Sequence, residues 1–210
     1  MNKIVVLISG RGSNMENLVS SDIPGKFVLV ASNNPHAGGL KRAKNMGIRT
    51  AIIDHKTYSN RQDFDLALAK KLEEYEPDLI LLAGFMRVLS KQFLSRFENK
   101  VLNIHPSLLP AFPGQHSHKQ AIKKGVRIHG CTVHFVTPSL DAGPIIVQSA
   151  IPVNPKDDEE SLAKKVLEQE HQIYPIAVKW FLEKKLRIKD DKVFVDEDPK
   201  FSSLLLFRDT

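Results

Sequence analysis

Short apolar runs alternating with amphipathic stretches set the pattern of the first half of this chain. Ile4-Val5-Val6-Leu7-Ile8, Phe27-Val28-Leu29-Val30-Ala31 and Leu79-Ile80-Leu81-Leu82-Ala83 are continuous runs of strand length. Uninterrupted runs of this kind mark strands buried on both faces. Arg49 to Ile53 predicts a further strand. Helical patterns fall between them. Ser13 or Asn14 is expected to cap a helix beginning near Met15. A second helix is predicted over roughly 37 to 46, stopped by Gly47 as a C′ glycine. Asn60 opens a third, with apolar Phe64, Leu66, Leu68 and Leu72, ending before Pro77. A short helix near 90–97 leads to a strand running into Asn103.

This βαβ series predicts an α/β fold. The sheet is expected to be Rossmann-like, open, twisted, mixed and mostly parallel, with helices on both faces. After Pro113 the period changes. Cys131 to Val136 alternates, Pro144 to Ala150 reads as a strand, and Ser139 to Gly143 is the turn between them, which predicts a hairpin added to the sheet. Asp157 to Glu160 place acid at the start of a helix running to about Lys184, with a kink expected at Pro175. Residues 1–190 read as one domain. Residues 191–210 read as a tail without a motif, with a weak hairpin after Lys189.

Composition adds little to this and removes several alternatives. Net charge is +6, from 30 Lys+Arg against 24 Asp+Glu, but the basic residues are interspersed with acids. That favours a solvated surface with a positive cleft for an anionic substrate over nucleic-acid binding. The single cysteine, Cys131, excludes an internal disulfide and every zinc pattern that needs two thiolates. It fits a reducing compartment. No apolar run approaches the ~18 residues of a membrane span, and Ile4 to Ile8 is too short for a signal sequence. A cytoplasmic protein is expected, a monomer or homodimer, acting on small molecules with neither membrane nor nucleic-acid partners.

Four groups of residues carry candidate chemistry. Ser9-Gly10-Arg11-Gly12-Ser13-Asn14 joins a buried strand to a helix. Glycines allow close backbone approach, and free N–H groups at the helix start can hold a phosphate. Met15 stands where the dinucleotide fingerprint needs its third glycine, and the Gly-Lys-Ser/Thr ending of a P-loop is absent, so a monophosphate fits better than a pyrophosphate. An ordinary tight turn is the competing explanation. The second group is Asn103, His105 and, 36 residues beyond the histidine, Asp141. Asn103 and His105 are i and i+2, on one side of an extended strand, and Pro106 keeps His105 extended. An amide that stabilises an oxyanion beside an imidazole that transfers a proton suits chemistry at a carbonyl carbon. Each residue also has a purely structural alternative, Asp141 as a turn former among them.

The third group, His116, His118, His129 and His134, invites a metal site. It lacks the Cys pair or acidic spacing that would support one, and His134 fits a pocket or the core. The fourth is Ala83 to Leu89, in which Phe85, Met86 and Leu89 could line a slot for a flat ring or belong to the core. On periodicity alone, Arg61 and Glu170 read as surface-helix charges.

Taken together, VVLISGRGSN, LAGFMRVLS, NIHPSLLP, HGCTVHFV, DAGPII and QEHQIYP resemble the phosphoribosylglycinamide formyltransferase family, in order, from about residue 3 to 190. The resemblance implies formyl transfer from 10-formyltetrahydrofolate to the amine of glycinamide ribonucleotide, in purine synthesis. It implies no metal, and no cofactor tightly bound beyond the folate cosubstrate. It assigns the ribonucleotide to Gly12, Ser13, Asn14 and Glu170. It assigns the folate to Arg61, at its tail, and to Met86, Arg87, Val88, Leu89, Thr137, Pro138, Ser139, Leu140 and Asp141. Asn103 is implied to donate to the formyl oxygen, His105 to move the proton, and Asp141 to favour the charged form of His105. Arg11 adds a cation to the phosphate loop, and Ala142 replaces a glycine frequent in relatives. Alternatives remain open: a 10-formyltetrahydrofolate hydrolase, a methionyl-tRNA formyltransferase, which would need a C-terminal RNA-binding domain, and a non-catalytic nucleotide-binding module.

Overall fold

The computed structural model describes residues 1–196. The chain forms two compact units: Met1–Asn103 with Val136–Pro138, and Ile104–Phe135 with the described residues from Ser139 onward.

The first unit is built on parallel strands in the order β3-β2-β1-β4-β5. These are β1 (Asn2–Ile8), β2 (Gly25–Ser32), β3 (Thr50–Ile52), β4 (Leu79–Leu82) and the first three residues of β5 (Val101–His105). Ile4 to Ile8 are all fully buried, so both faces of β1 are covered, as the apolar run predicts. On one face Val5, Leu7, Leu29 and Ile80 pack with Phe64, Leu68 and Leu72 of α3 (Arg61–Glu73) and with Phe93 and Phe97. Each such side chain removed from water contributes about 1.5–3 kcal/mol. Asn60 caps α3, its side chain accepting from the Asp63 N–H. α2 (Gly38–Asn45) ends before Gly47, whose φ of 75° takes the left-handed conformation expected there. The segment predicted near 90–97 is α4 (Lys91–Leu94) followed by a 3₁₀ turn, Ser95–Phe97. One expectation is corrected. Neither Ser13 nor Asn14 caps α1 (Ser13–Ser20); Gly12 occupies the N-cap with φ 81°, and no side chain caps the helix.

The second unit holds the end of β5, α5 (Ser117–Lys124), the antiparallel pair β6 (Ile128–Phe135) and β7 (Ile145–Pro152), α6 (Glu159–Leu182), and a hairpin of β8 (Leu186–Lys189) and β9 (Lys192–Val195). The predicted hairpin is present, with Cys131 opposite Ser149 and Val133 opposite Val147. It starts three residues earlier than expected. Gly130 permits this, because a Cβ there would lie 1.9 Å from the Ser149 carbonyl oxygen. In α5 only Ser117 and Ala121 are buried. α6 begins on a capping box between Asp158 and Ser161 and continues through Pro175. The C-terminal hairpin begins at Leu186, before the point expected. The rest of the predicted tail, 197–210, lies outside the described residues. The sheet is therefore mixed and mostly parallel: four strand pairings run parallel and the β6–β7 pairing antiparallel.

Candidate active site

In the second unit His105 closes β5, extended as Pro106 demands, and is buried. Its Nδ1 faces Asp141 Oδ2 at 3.4 Å, and its Nε2 lies 3.0 Å from the Phe112 carbonyl oxygen. Both ring nitrogens thus face oxygen acceptors. Asp141 takes φ 48°, a left-handed conformation that Asp tolerates better than most side chains. The Gly114 N–H donates to Asp141 Oδ2 at 2.7 Å and fixes the carboxylate. Asp141 Oδ1 faces His134 Nε2 at 3.9 Å, and His134 Nδ1 lies 2.8 Å from the Phe135 carbonyl oxygen. Burial holds the His134 imidazole below its ordinary pKa, against the opposing pull of the Phe135 carbonyl and Asp141. Asp141 is therefore gripped by a backbone N–H and flanked by two imidazoles.

His118 and His129 do different work. Their rings meet edge to face at 5.4 Å, and Phe112 packs on His129 at 5.9 Å. Burial, aided by the neighbouring imidazole of His118, pushes His129 down to about 4. These are neutral rings packed as aromatics. The periodicity expectation for Glu170 is overturned: it is 7% exposed on α6, not a surface charge. Burial, and then the Glu170 carboxylate, raise the Cys131 thiol far above its ordinary range.

In the first unit Asn103 lies on β5, two residues before His105, half-buried and opposite Leu82. The Ser9–Asn14 loop turns from β1 into α1. Gly12 is required twice over: its φ is positive, and a Cβ would lie 2.7 Å from Gly39 Cα. The Gly39 N–H donates to the Gly10 carbonyl at 3.0 Å, so α2 braces the loop by backbone contact. The first-turn N–H groups of α1 have no side-chain cap, and the acid of that turn, Glu16, is paired with Arg42. That leaves an electropositive helix start suited to a phosphate.

The Gly84–Leu89 segment splits. Met86 and Val88 are exposed; Phe85 and Leu89 are buried in the core, Leu89 at 2% exposure, so its side chain is no slot lining. The Arg87 guanidinium lies over the Phe64 ring at 5.9 Å. Arg61 and Pro138 share a cavity of about 530 Å3 with Asn60, Gln62, Ser90 and Lys91, and Arg61 Nε lies 3.7 Å from Asp65 Oδ2. Thr137 belongs to this unit, Ser139 and Leu140 to the other, with Leu140 exposed. Sequence reasoning missed the backbone partners Phe112, Gly114 and Gly39. Positive φ at Phe112 and Gly114 left a signal only in the Phe-Pro-Gly turn chemistry.

A mixed, mostly parallel α/β sheet with helices between its strands places the chain in the Rossmann-like α/β class. The comparisons narrow it. Residues 2–178 match the formyl transferase family. A phosphoribosylglycinamide formyltransferase of Haemophilus influenzae is 44% identical over 93% of this chain and 94% of its own. The trifunctional purine biosynthetic protein adenosine-3 of Homo sapiens is 46% identical over 84% of this chain, which spans 18% of that protein. The crystal structure of glycinamide ribonucleotide transformylase 1 from Symbiobacterium toebii superposes with a TM-score of 0.91 at 45% identity, covering 93% of this chain and 94% of that one. The chain belongs to the formyl transferase family, and within it to the phosphoribosylglycinamide formyltransferases.

Proposed function

We propose that this enzyme transfers the formyl group of 10-formyltetrahydrofolate to the amine of glycinamide ribonucleotide, in purine biosynthesis, releasing tetrahydrofolate. The amine nitrogen attacks the formyl carbon. The carbonyl electrons move to oxygen, where the Asn103 amide donates a hydrogen bond to the tetrahedral oxyanion. His105 Nε2 carries a proton to N10 as the carbon–N10 bond breaks, and the proton lost by the amine restores the imidazolium, through water held by Asp141. The observation that carries this is the His105–Asp141 pair, held at 3.4 Å with the carboxylate fixed by the Gly114 N–H. Gly12, Ser13 and Asn14 take the ribonucleotide phosphate, and Glu170 helps hold that substrate. Arg61, Met86 to Val88 and 137–141 take the folate, with Leu89 supporting from the core. Holding both substrates in line supplies a proximity term of about 7–11 kcal/mol.

We take residues 1–190 to work as one formyltransferase domain, in the cytoplasm, as a monomer or homodimer, with no metal. Among the described residues no helix is long and apolar enough to cross a membrane. The alternative hydrolase is not supported by the relatives. The test is tetrahydrofolate formation from 10-formyltetrahydrofolate, with and without glycinamide ribonucleotide, with His105→Ala as control. Turnover that needs the ribonucleotide and is lost in the variant is the expected result; turnover without the ribonucleotide would overturn it.

A further inference from the structure

Ser9 has no part in the chemistry above, yet every polar group it owns is committed. Its N–H donates to the Gly84 carbonyl at 3.1 Å. Its hydroxyl donates to Asn33 Oδ1 at 2.6 Å and accepts from the Met86 N–H at 2.8 Å. Its carbonyl accepts from Asn34 Nδ2 at 3.1 Å. Asn33 is only 4% exposed, and its Nδ2 lies 3.1 Å from His55 Nδ1, so the amide that receives the hydroxyl is itself held at its far end. Ser9 is the first residue of the phosphate loop, and Gly84 to Met86 open the folate segment. Two of its bonds therefore tie the start of one substrate-binding loop to the backbone of the other.

We propose that Ser9 is a positioning residue that registers the ribonucleotide loop against the folate segment, so that occupation of either loop stiffens the other. This rests on the function proposed above. The hydroxyl is the junction because one atom accepts from the Met86 backbone while donating to a buried amide. A strand-end serine that merely finished β1 would need the N–H and carbonyl bonds alone, and those survive any side-chain change. Coupling of this kind is a free energy shared by two sites. Tetrahydrofolate must tighten glycinamide ribonucleotide by the same factor as the ribonucleotide tightens tetrahydrofolate.

Calorimetric dissociation constants for each ligand, alone and with the other saturating, test this in the full-length enzyme and in Ser9→Ala and Ser9→Cys. In the unaltered enzyme both ligands should gain affinity by one common factor. In Ser9→Ala that factor should fall to about one, with the folate KM raised about tenfold and kcat reduced much less. Ser9→Cys, whose thiol is a weaker donor and acceptor, should fall between the two; it also stands in if the alanine variant does not fold. An unchanged coupling factor in either folded variant overturns the proposal, as does an unaltered enzyme with no coupling. Ribonucleotide-dependent turnover of the unaltered enzyme is measured alongside. If that is absent, the function itself has failed rather than the role of Ser9.

Discussion

Asp141→Asn is the sharpest probe of the proposed chemistry, because the structure predicts that the fold survives it. Position 141 has φ 48°, which Asn tolerates as well as Asp, and the side chains are isosteric. An asparagine Oδ1 can still accept from the Gly114 N–H, now 2.7 Å from Oδ2. That same oxygen faces His105 Nδ1 at 3.4 Å, so the contact persists, while the amide NH2 takes the Oδ1 position opposite His134 Nε2, 3.9 Å away. What is lost is the negative charge beside the His105 imidazole. Positive charge that develops on the ring during proton transfer loses the attraction of that carboxylate. At 3.4 Å and an effective dielectric of about 20, that attraction has a ceiling of about 5 kcal/mol. This corresponds to between three and four powers of ten, at ~1.36 kcal/mol for each. The expected loss in kcat is ~10²–10⁴, with both KM values within a few fold of the original. Single-turnover formyl transfer across a pH series measures it, and the urea midpoint checks that stability is kept. A folded variant with kcat within about threefold of the unaltered enzyme would refute the role assigned to Asp141.

Three further outcomes are expected. Gly12→Ala places a Cβ 2.7 Å from Gly39 Cα at positive φ, so it should lower stability by about 1–3 kcal/mol and weaken glycinamide ribonucleotide far more than folate, by calorimetry. Folding holds His129 near 4 instead of the ordinary 6.5; the unfolded chain therefore takes its proton first. The corresponding stability is complete above pH 6.5, falls away as pH drops toward 4, and totals about 3 kcal/mol. Urea midpoints against pH should show that slope, and His129→Phe should flatten it. Cys131 is fully buried with its thiol held protonated, so an aromatic disulfide reagent should label it only at the rate of unfolding; fast labelling of the native enzyme would contradict the burial.

Local features were legible wherever one residue's chemistry decides a conformation. Pro106 fixed His105 as extended, Gly47 ended α2, Asn60 capped α3, and unbroken apolar runs marked strands covered on both faces. The failures share a cause. Ser13 and Asn14 have the composition of caps, but Gly12 takes the position because Gly39 approaches too closely for any side chain. Glu170 looks like a surface charge on α6 and is buried, and Leu89 looks like slot lining and is core. In each case a contact distant in sequence overrode a local preference, and no single-chain pattern encodes such a contact.

The same division explains why candidates for the chemistry stand out in the sequence while their supports do not. Asn103, His105 and Asp141 announce themselves by residue type, because few side chains can stabilise an oxyanion, move a proton or orient an imidazole. The groups that hold His105 and Asp141 are the Phe112 carbonyl and the Gly114 N–H. Both are backbone atoms, which every residue owns. Their value lies wholly in where the chain is bent: Phe112 and Gly114 both have positive φ, and that bend turns a carbonyl toward one side of the His–Asp pair and an N–H toward the other. A substitution that keeps the Asn103, His105 and Asp141 side chains but relaxes the bend should therefore impair the site as effectively as removing one of them. Gly114→Ala, which retains the N–H and meets only Leu140 at 3.7 Å, isolates that effect. It should reduce kcat while leaving ribonucleotide affinity intact. Unchanged turnover in a folded Gly114→Ala enzyme would mean that the carboxylate is placed without the loop.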